Sequence, residues 1–220
     1  MKAFVAGATG QTGRRIVQAL CQRQIPVRAM VRDLEKAKGM FPADQVEIVV
    51  GDVLDPKTLV DCIGDSTVVL CATGATPSFD FTGPYRVDYE GTKNLVNVSK
   101  DKGIEHLVLV SSLCVSQFFH PLNLFWLILL WKKQAEEYLQ NSGLTYTIVR
   151  PGGLKNEETD YPIVMGAPDT LFDGSIPRTQ VAQVSVEALF VPEAGNKIVE
   201  VVSKPGEPQN SLSQLFASVP

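Results

Sequence analysis

Apolar residues in this chain gather in short, nearly unbroken runs, and between the runs they return every three or four positions. The runs cover residues 4–6, 26–31, 46–50, 66–71, 106–110, 144–149 and 198–202. Too short for buried helices and apolar at consecutive positions, they predict strands covered on both faces. The intervening periodicity predicts helices at about residues 11–23, 56–62, 84–102, 130–141 and 178–190. Ile16, Val17 and Leu20 share one helical face, as do Val87, Gly91, Leu95 and Val98. Gly103 and Gly143 stop the third and fourth helices, because glycine reaches the left-handed conformation that closes a helix. Alternating strands and helices of this kind predict an α/β chain: one doubly wound parallel sheet with helices on both sides. The last strand, 198–202, is expected near the sheet's edge.

The first strand runs straight into Gly7-Ala8-Thr9-Gly10-Gln11-Thr12-Gly13, and the first helix follows at once. Strand, glycine turn and helix, in that order, are what a dinucleotide pyrophosphate requires. Gly7 permits the tight turn, Gly10 lets backbone N–H groups approach phosphate oxygens, and Gly13 lets the helix lie against the strand with its N-terminus facing the anion. A glycine turn with no ligand is the competing reading, and the correct context on both sides favours the nucleotide. Thr9, Gln11 and Thr12 join the glycines as expected cofactor-binding positions. The fold expected is therefore a Rossmann fold.

Ligands of such sheets lie beyond the carboxyl ends of the strands. After the second strand stand Arg32 and, one helical turn on, Lys36; an arginine here pairs with the 2′-phosphate of NADP, where an acidic residue would hold the ribose of NAD. Both side chains are also readable as solvated surface charges. Asp33 is placed to cap the next helix. Asp52-Val53 ends the third strand, where a carboxylate can accept from the adenine amino group; a simple turn is the alternative. Ala72-Thr73-Gly74 ends the fourth strand with small residues that suit a backbone pressed against the cofactor. Ser111-Ser112 ends the fifth, and its hydroxyls either face the crevice as donors to a developing oxyanion or satisfy loop backbone, with nothing in the sequence to separate the two.

The chain has 220 residues, 45% of them hydrophobic and 20% charged, and a net charge of -4. That length suits one domain, 1–220, with a substrate side formed by about residues 113–131 and 150–180. An acidic balance without a basic cluster argues against a nucleic-acid partner. Cys21, Cys62, Cys71 and Cys114 form no C-x-x-C pair, which predicts reduced thiols and no metal site, and two histidines are too few for one. With the first strand starting at Lys2, no signal or transit segment is expected, and a cytoplasmic setting follows.

Taken together, GATGQTG, VRD, GDV, the serine pair and SGLTYTIVRPGGL resemble the atypical short-chain dehydrogenase/reductase superfamily. More narrowly, they resemble its biliverdin-IXβ/flavin reductases and the NAD(P)-binding homologues of plant chloroplasts and cyanobacteria. The resemblance covers nearly the whole chain. It implies NADP(H) bound through residues 7–13, Arg32, Lys36, Asp52 with Val53, the 72–74 loop, and Pro151 with Gly152. It also implies a plastid stroma or thylakoid setting if the source is a plant. Two departures bear on chemistry. The usual Tyr-x-x-x-Lys pair is absent: Lys132 matches the lysine, with Lys133 beside it, but Ile128 and Leu129 stand where the tyrosine belongs. A histidine that such reductases carry is Gly153 here. What remains is hydride delivery to a planar, conjugated, electron-poor acceptor such as a flavin, quinone or linear tetrapyrrole, with Ser112, Ser111 and Lys132 as the expected catalytic residues. The alternative is an NADP(H)-binding redox-sensing or assembly protein without turnover.

The segment from Phe118 to Trp131 holds no charged residue and is apolar all around from Leu124 onward. It is too short to span a bilayer as a helix. A pocket wall or lid beside the nicotinamide, a core helix, and a patch that docks a membrane or protein partner all remain open. His120 within it is a weak candidate acid. Arg178, at the start of the last predicted helix, either frames the substrate or is a surface charge.

Overall fold

The computed structural model describes residues 1–220 apart from 76–79 and 125. Strands β1 (Ala3–Ala6), β2 (Val27–Val31), β3 (Val46–Val50), β4 (Val68–Cys71), β5 (His106–Val110), β6 (Tyr146–Pro151) and β10 (Lys197–Ser203) lie parallel in the order β3-β2-β1-β4-β5-β6-β10. The order in which strands are added reverses between β1 and β4, which opens a crevice at their carboxyl ends. Side chains alternate strictly across the sheet. Ala3, Val5, Ala29, Leu70, Val108, Val149 and Val199 face α1 (Gly13–Gln22) and α6 (Arg178–Glu187). Phe4, Ala6, Met30, Val69, Leu107, Leu109 and Ile148 face α3 (Pro56–Ile63), α4 (Gly91–Asp101) and α5 (Ile128–Gln140). Apart from the edge strand β3, whose Glu47 and Val50 are exposed, these strands bury both of their faces, which is why their sequences read as nearly unbroken apolar residues.

The expected fold holds, with four differences. The strand at 198–202 is internal: β10 pairs with β6 on one side, and with β8 (Ile163–Gly166) and β9 (Ser175–Pro177) on the other. Residues 150–177 therefore form short strands, β7 (Gly153–Lys155) among them, that extend the sheet beyond its expected edge. The predicted helix 84–102 starts with a wide π-turn, Tyr85–Glu90, that winds directly into α4. The short helix that Asp33 was expected to cap is the single turn α2 (Leu34–Ala37), whereas α7 (Leu212–Ser218), which a reciprocal Ser211–Gln214 capping box starts, was not expected.

Candidate functional site

Gly7 sits at φ +78°, and a Cβ there would lie 2.7 Å from the Ala72 carbonyl oxygen, so the loop after β4 presses directly on the glycine turn. A Cβ on Gly13 would lie 2.1 Å from the Gly7 oxygen; α1 packs onto the turn too closely for any side chain. The turn closes with Gly10 N–H donating to the Gly7 carbonyl at 3.0 Å. Beyond it, the N–H groups of Gln11, Thr12 and Gly13 find no acceptor among the described residues. Three unsatisfied donors at the positive end of a helix, over a cradle that any Cβ would fill, are the complement of a pyrophosphate.

The cleft in front of this turn has a volume of about 440 Å³, and Gly7, Thr9, Gly10, Arg32, Asp52, Val53, Ala72, Thr73 and Gly74 all line it. The expected nucleotide residues therefore come together. Arg32 is exposed at the cleft and has no partner among the described residues, so its guanidinium is free for an anion. Asp33 turns away and caps α2, accepting from the N–H groups of Glu35 and Lys36. Those two bonds, with the Lys36 ammonium nearby, hold its carboxyl below the usual aspartate range. Lys36 lies outside the cleft lining, with its ammonium 3.5 Å from Asp33. The Asp52 carboxylate accepts from Leu54 N–H at 2.9 Å, an Asx turn that fixes it at the cleft wall.

A second cleft, of about 420 Å³, lies beyond β5 and β6 and is lined by Ser112, Leu113, Cys114, His120, Leu122, Phe172 and Arg178 among others. Pro151 and Gly152, expected on the cofactor, line this cleft instead. A Cβ on Gly152 would lie 2.7 Å from the Gly174 carbonyl and 2.9 Å from Val202, so this glycine serves the close passage of two backbones. Gly153 and Leu154 continue the same wall.

The two serines divide. Ser111 is buried with its hydroxyl donating to Glu136, and is not a free donor to the crevice. Ser112 is half-buried at the second cleft, with no hydroxyl partner among the described residues. Lys132 lines neither cleft: its ammonium lies 2.8 Å from the carboxylate of Asp88, which is itself buried. Burial opposes that ammonium, but the Asp88 charge and hydrogen bond outweigh it and raise the Lys132 pKa. The other Asp88 oxygen accepts from Ala75 N–H at 3.2 Å, so the pair ties α5 to the loop after β4. Ile128, four residues before Lys132 and so at the place of the missing tyrosine, packs partly buried against the cluster of Leu113, Cys114, Val115, Leu129 and Val202.

Sequence reasoning missed the largest polar feature. Arg150 is buried in β6 and holds three carboxylates: Glu136 at 2.7 Å, Asp169 at 3.1 Å and Glu200 at 3.3 Å. Glu200, with no exposed surface, also accepts from the N–H groups of Asp169, Thr170 and Leu171. This network buckles the loop leading to Phe172 onto the sheet, and so shapes the second cleft. A signal did exist: Arg150 and Glu200 are charges in the interior of largely apolar strands, and they are register partners between β6 and β10.

The segment from Phe118 to Trp131 is of mixed character, and its Phe125 lies outside the described residues. Leu129 is core, Leu122 and His120 line the second cleft, and Phe118, Phe119, Leu124 and Leu127 are exposed. Trp131 packs on Tyr85 at 4.8 Å between ring centroids. Among the described residues no helix is long and apolar enough to cross a membrane.

A profile described as NAD(P)H-binding matches residues 7–192. An uncharacterised chloroplast protein of Arabidopsis thaliana is 50% identical over 99% of this chain and 82% of its own length. Protein TIC 62 of the Arabidopsis chloroplast is 36% identical over 99% of this chain, which spans only 38% of that longer protein. Sanguinarine reductase of Eschscholzia californica is 31% identical over 98% of this chain and 95% of its own length. Among solved structures, a putative NAD-dependent epimerase/dehydratase from Bacillus halodurans superposes with a TM-score of 0.87 at 25% identity, covering 99% of each chain.

Proposed function

This chain belongs to the family of NAD(P)H-binding oxidoreductases, and from that premise we propose that it is an NADPH-dependent reductase acting on a planar conjugated acceptor such as a flavin, quinone or linear tetrapyrrole. When bound, the nicotinamide supplies the hydride. The protein's part is to hold and orient. The N–H groups of Gln11, Thr12 and Gly13 hold the pyrophosphate, Arg32 holds the 2′-phosphate with the more distant Lys36 adding positive charge, and Asp52 with Val53 meets the adenine. The Lys132–Asp88 pair positions the 72–75 loop against the cofactor, and Ser112, at the end of β5 in the second cleft, orients nicotinamide and acceptor. Ser111 acts one step back, as the group through which Glu136 fixes the end of β5.

The observation that carries the reading is the pairing of a nucleotide cleft lined by Arg32 with a mainly apolar second cleft that no tyrosine lines, Ile128 standing four residues before Lys132. Without a tyrosine, protonation of a simple alkoxide lacks its usual donor. A conjugated acceptor spreads its charge and takes its proton from water. The relative named sanguinarine reductase supports reduction as the chemistry.

A second reading, cofactor binding without turnover by a protein that docks a membrane or protein partner, is favoured by the exposed Phe118, Phe119 and Leu124. The chloroplast relatives support a plastid setting, the alternative expected for a plant source, over the cytoplasmic one. Purified protein mixed with NADPH and FMN, menadione or biliverdin is expected to lose the nicotinamide absorbance with at least one acceptor. Tight NADP+ binding with no oxidation by any of them would favour the second reading.

A further inference from the structure

His120 is held by its surroundings in a way its sequence position does not suggest. Its backbone N–H donates to the Gln117 carbonyl at 3.1 Å, and its carbonyl accepts from Asn123 N–H at 2.9 Å. Asn123 is buried and staples the segment, its amide donating to the Phe118 carbonyl at 2.8 Å and accepting from Leu129 N–H at 2.9 Å. The imidazole itself accepts from Leu122 N–H at Nδ1, at 3.2 Å. An Nδ1 that accepts carries no proton, so the neutral ring carries its proton on Nε2. That second nitrogen has no partner among the described residues, and the residue lines the second cleft together with Ser112 and Arg178. The Arg178 side chain is drawn to the rim by the Leu154 carbonyl and Asn156, which leaves His120 and Ser112 as the neutral donors of this cleft.

We propose that His120 is the fixed hydrogen-bond donor of the acceptor site, its Nε2–H holding the acceptor's conjugated carbonyl oxygen or imine nitrogen. This rests on the reductase reading. Reduction forms a C–H bond on the acceptor's conjugated system, and the displaced π electron pair moves onto that oxygen or nitrogen. The atom then takes one proton from water, NADPH being oxidised to NADP+. The imidazole keeps its own proton and stabilises the charge as it forms, so it acts as an electrophile and not as the acid. The substrate class narrows accordingly: the acceptor carries a hydrogen-bond-accepting heteroatom in conjugation with the carbon that is reduced.

Three proteins test it: the natural chain, His120→Leu, which removes the donor, and His120→Gln, which restores an N–H at similar reach. With the proteins saturated with NADP+, binding of menadione and biliverdin is followed by fluorescence quenching. His120→Leu is expected to bind about tenfold more weakly and His120→Gln close to the natural chain. Turnover in His120→Leu is expected to fall ~10²-fold, the scale of losing one positioned donor, with NADP+ affinity unchanged. Nitrogen-15 NMR of the ring, assigned against the only other histidine, His106, is expected to find the Nε2-protonated tautomer. A proton on Nδ1, or His120→Leu indistinguishable from the natural chain in both binding and turnover, overturns the assignment. Should the natural chain oxidise no NADPH, the reductase reading falls by itself. The binding arm then decides on His120 alone: the tenfold loss upholds it as a ligand donor, and unchanged affinity overturns it.

Discussion

The nucleotide cleft and the second cleft, the one proposed for the acceptor, lie at the same edge of one sheet, yet they are built from different material. The nucleotide cleft is mostly backbone: N–H groups and an arginine side chain without partners among the described residues, and glycines packed too closely for a Cβ. The acceptor cleft is mostly side chain, and its outer wall is held by buried charges that meet across long stretches of sequence: Glu136, Arg150, Asp169 and Glu200. A backbone site depends on local conformation, and so tolerates change in most side chains around it. A site held by buried charge depends on every member of the network, because removing one leaves another unpaired in a medium of low polarity.

The largest expected effect follows from that asymmetry. Arg150→Met leaves Glu136 and Glu200 facing each other without their cation, a loss of about 3–5 kcal/mol for a broken buried pair. Denaturant unfolding should register this as a lower midpoint. The protein that remains folded should bind NADP+ nearly as the natural chain does but bind acceptors poorly. Equal damage to both ligands would mean that the two clefts are one cooperative unit, and the contrast between them would be lost.

The same contrast explains what the sequence disclosed. That the glycine turn, Arg32, Asp52 and the 72–74 loop share one cleft was legible because each is placed by conformation within a few residues of itself, at the end of its own strand. Strand and helix order was legible because two buried faces leave no room for polar residues. Strands β7 to β9 and the internal place of β10 were not, since three- and four-residue strands have too little periodicity to see and owe their position to Gly174 passing over Gly152 and Val202. Ser111, read as one of a pair, has its hydroxyl on Glu136, 25 residues away in the chain. Lys132 was found by register, but its partner Asp88 sits in a π-turn that nothing local announced.

Next in size is the charge at the nucleotide cleft. Arg32→Glu exchanges a charge-assisted phosphate contact for repulsion, so NADPH affinity should fall ~10²-fold while NADH affinity changes far less. Calorimetric titration with both coenzymes separates the two. Equal losses would remove Arg32 from the 2′-phosphate and leave the turn alone to explain binding. Stability should not move, because the side chain is exposed and has no partner among the described residues.

The smallest effect concerns the apolar segment that belongs to neither cleft entirely. Phe119 is 96% exposed and Leu124 80% exposed, whereas Leu129 in the same segment is 1% exposed. Burial of apolar area is what stabilises a fold, so side chains that bury none contribute almost nothing to it. Phe119→Ser and Leu124→Ser should each leave the unfolding free energy within about 0.5 kcal/mol of the natural chain, as surface substitutions do. They should also leave NADP+ affinity and turnover untouched, because neither residue lines a cleft. A loss of turnover without a loss of stability would place these side chains over a bound acceptor as a lid, and would join the exposed segment to the acceptor cleft.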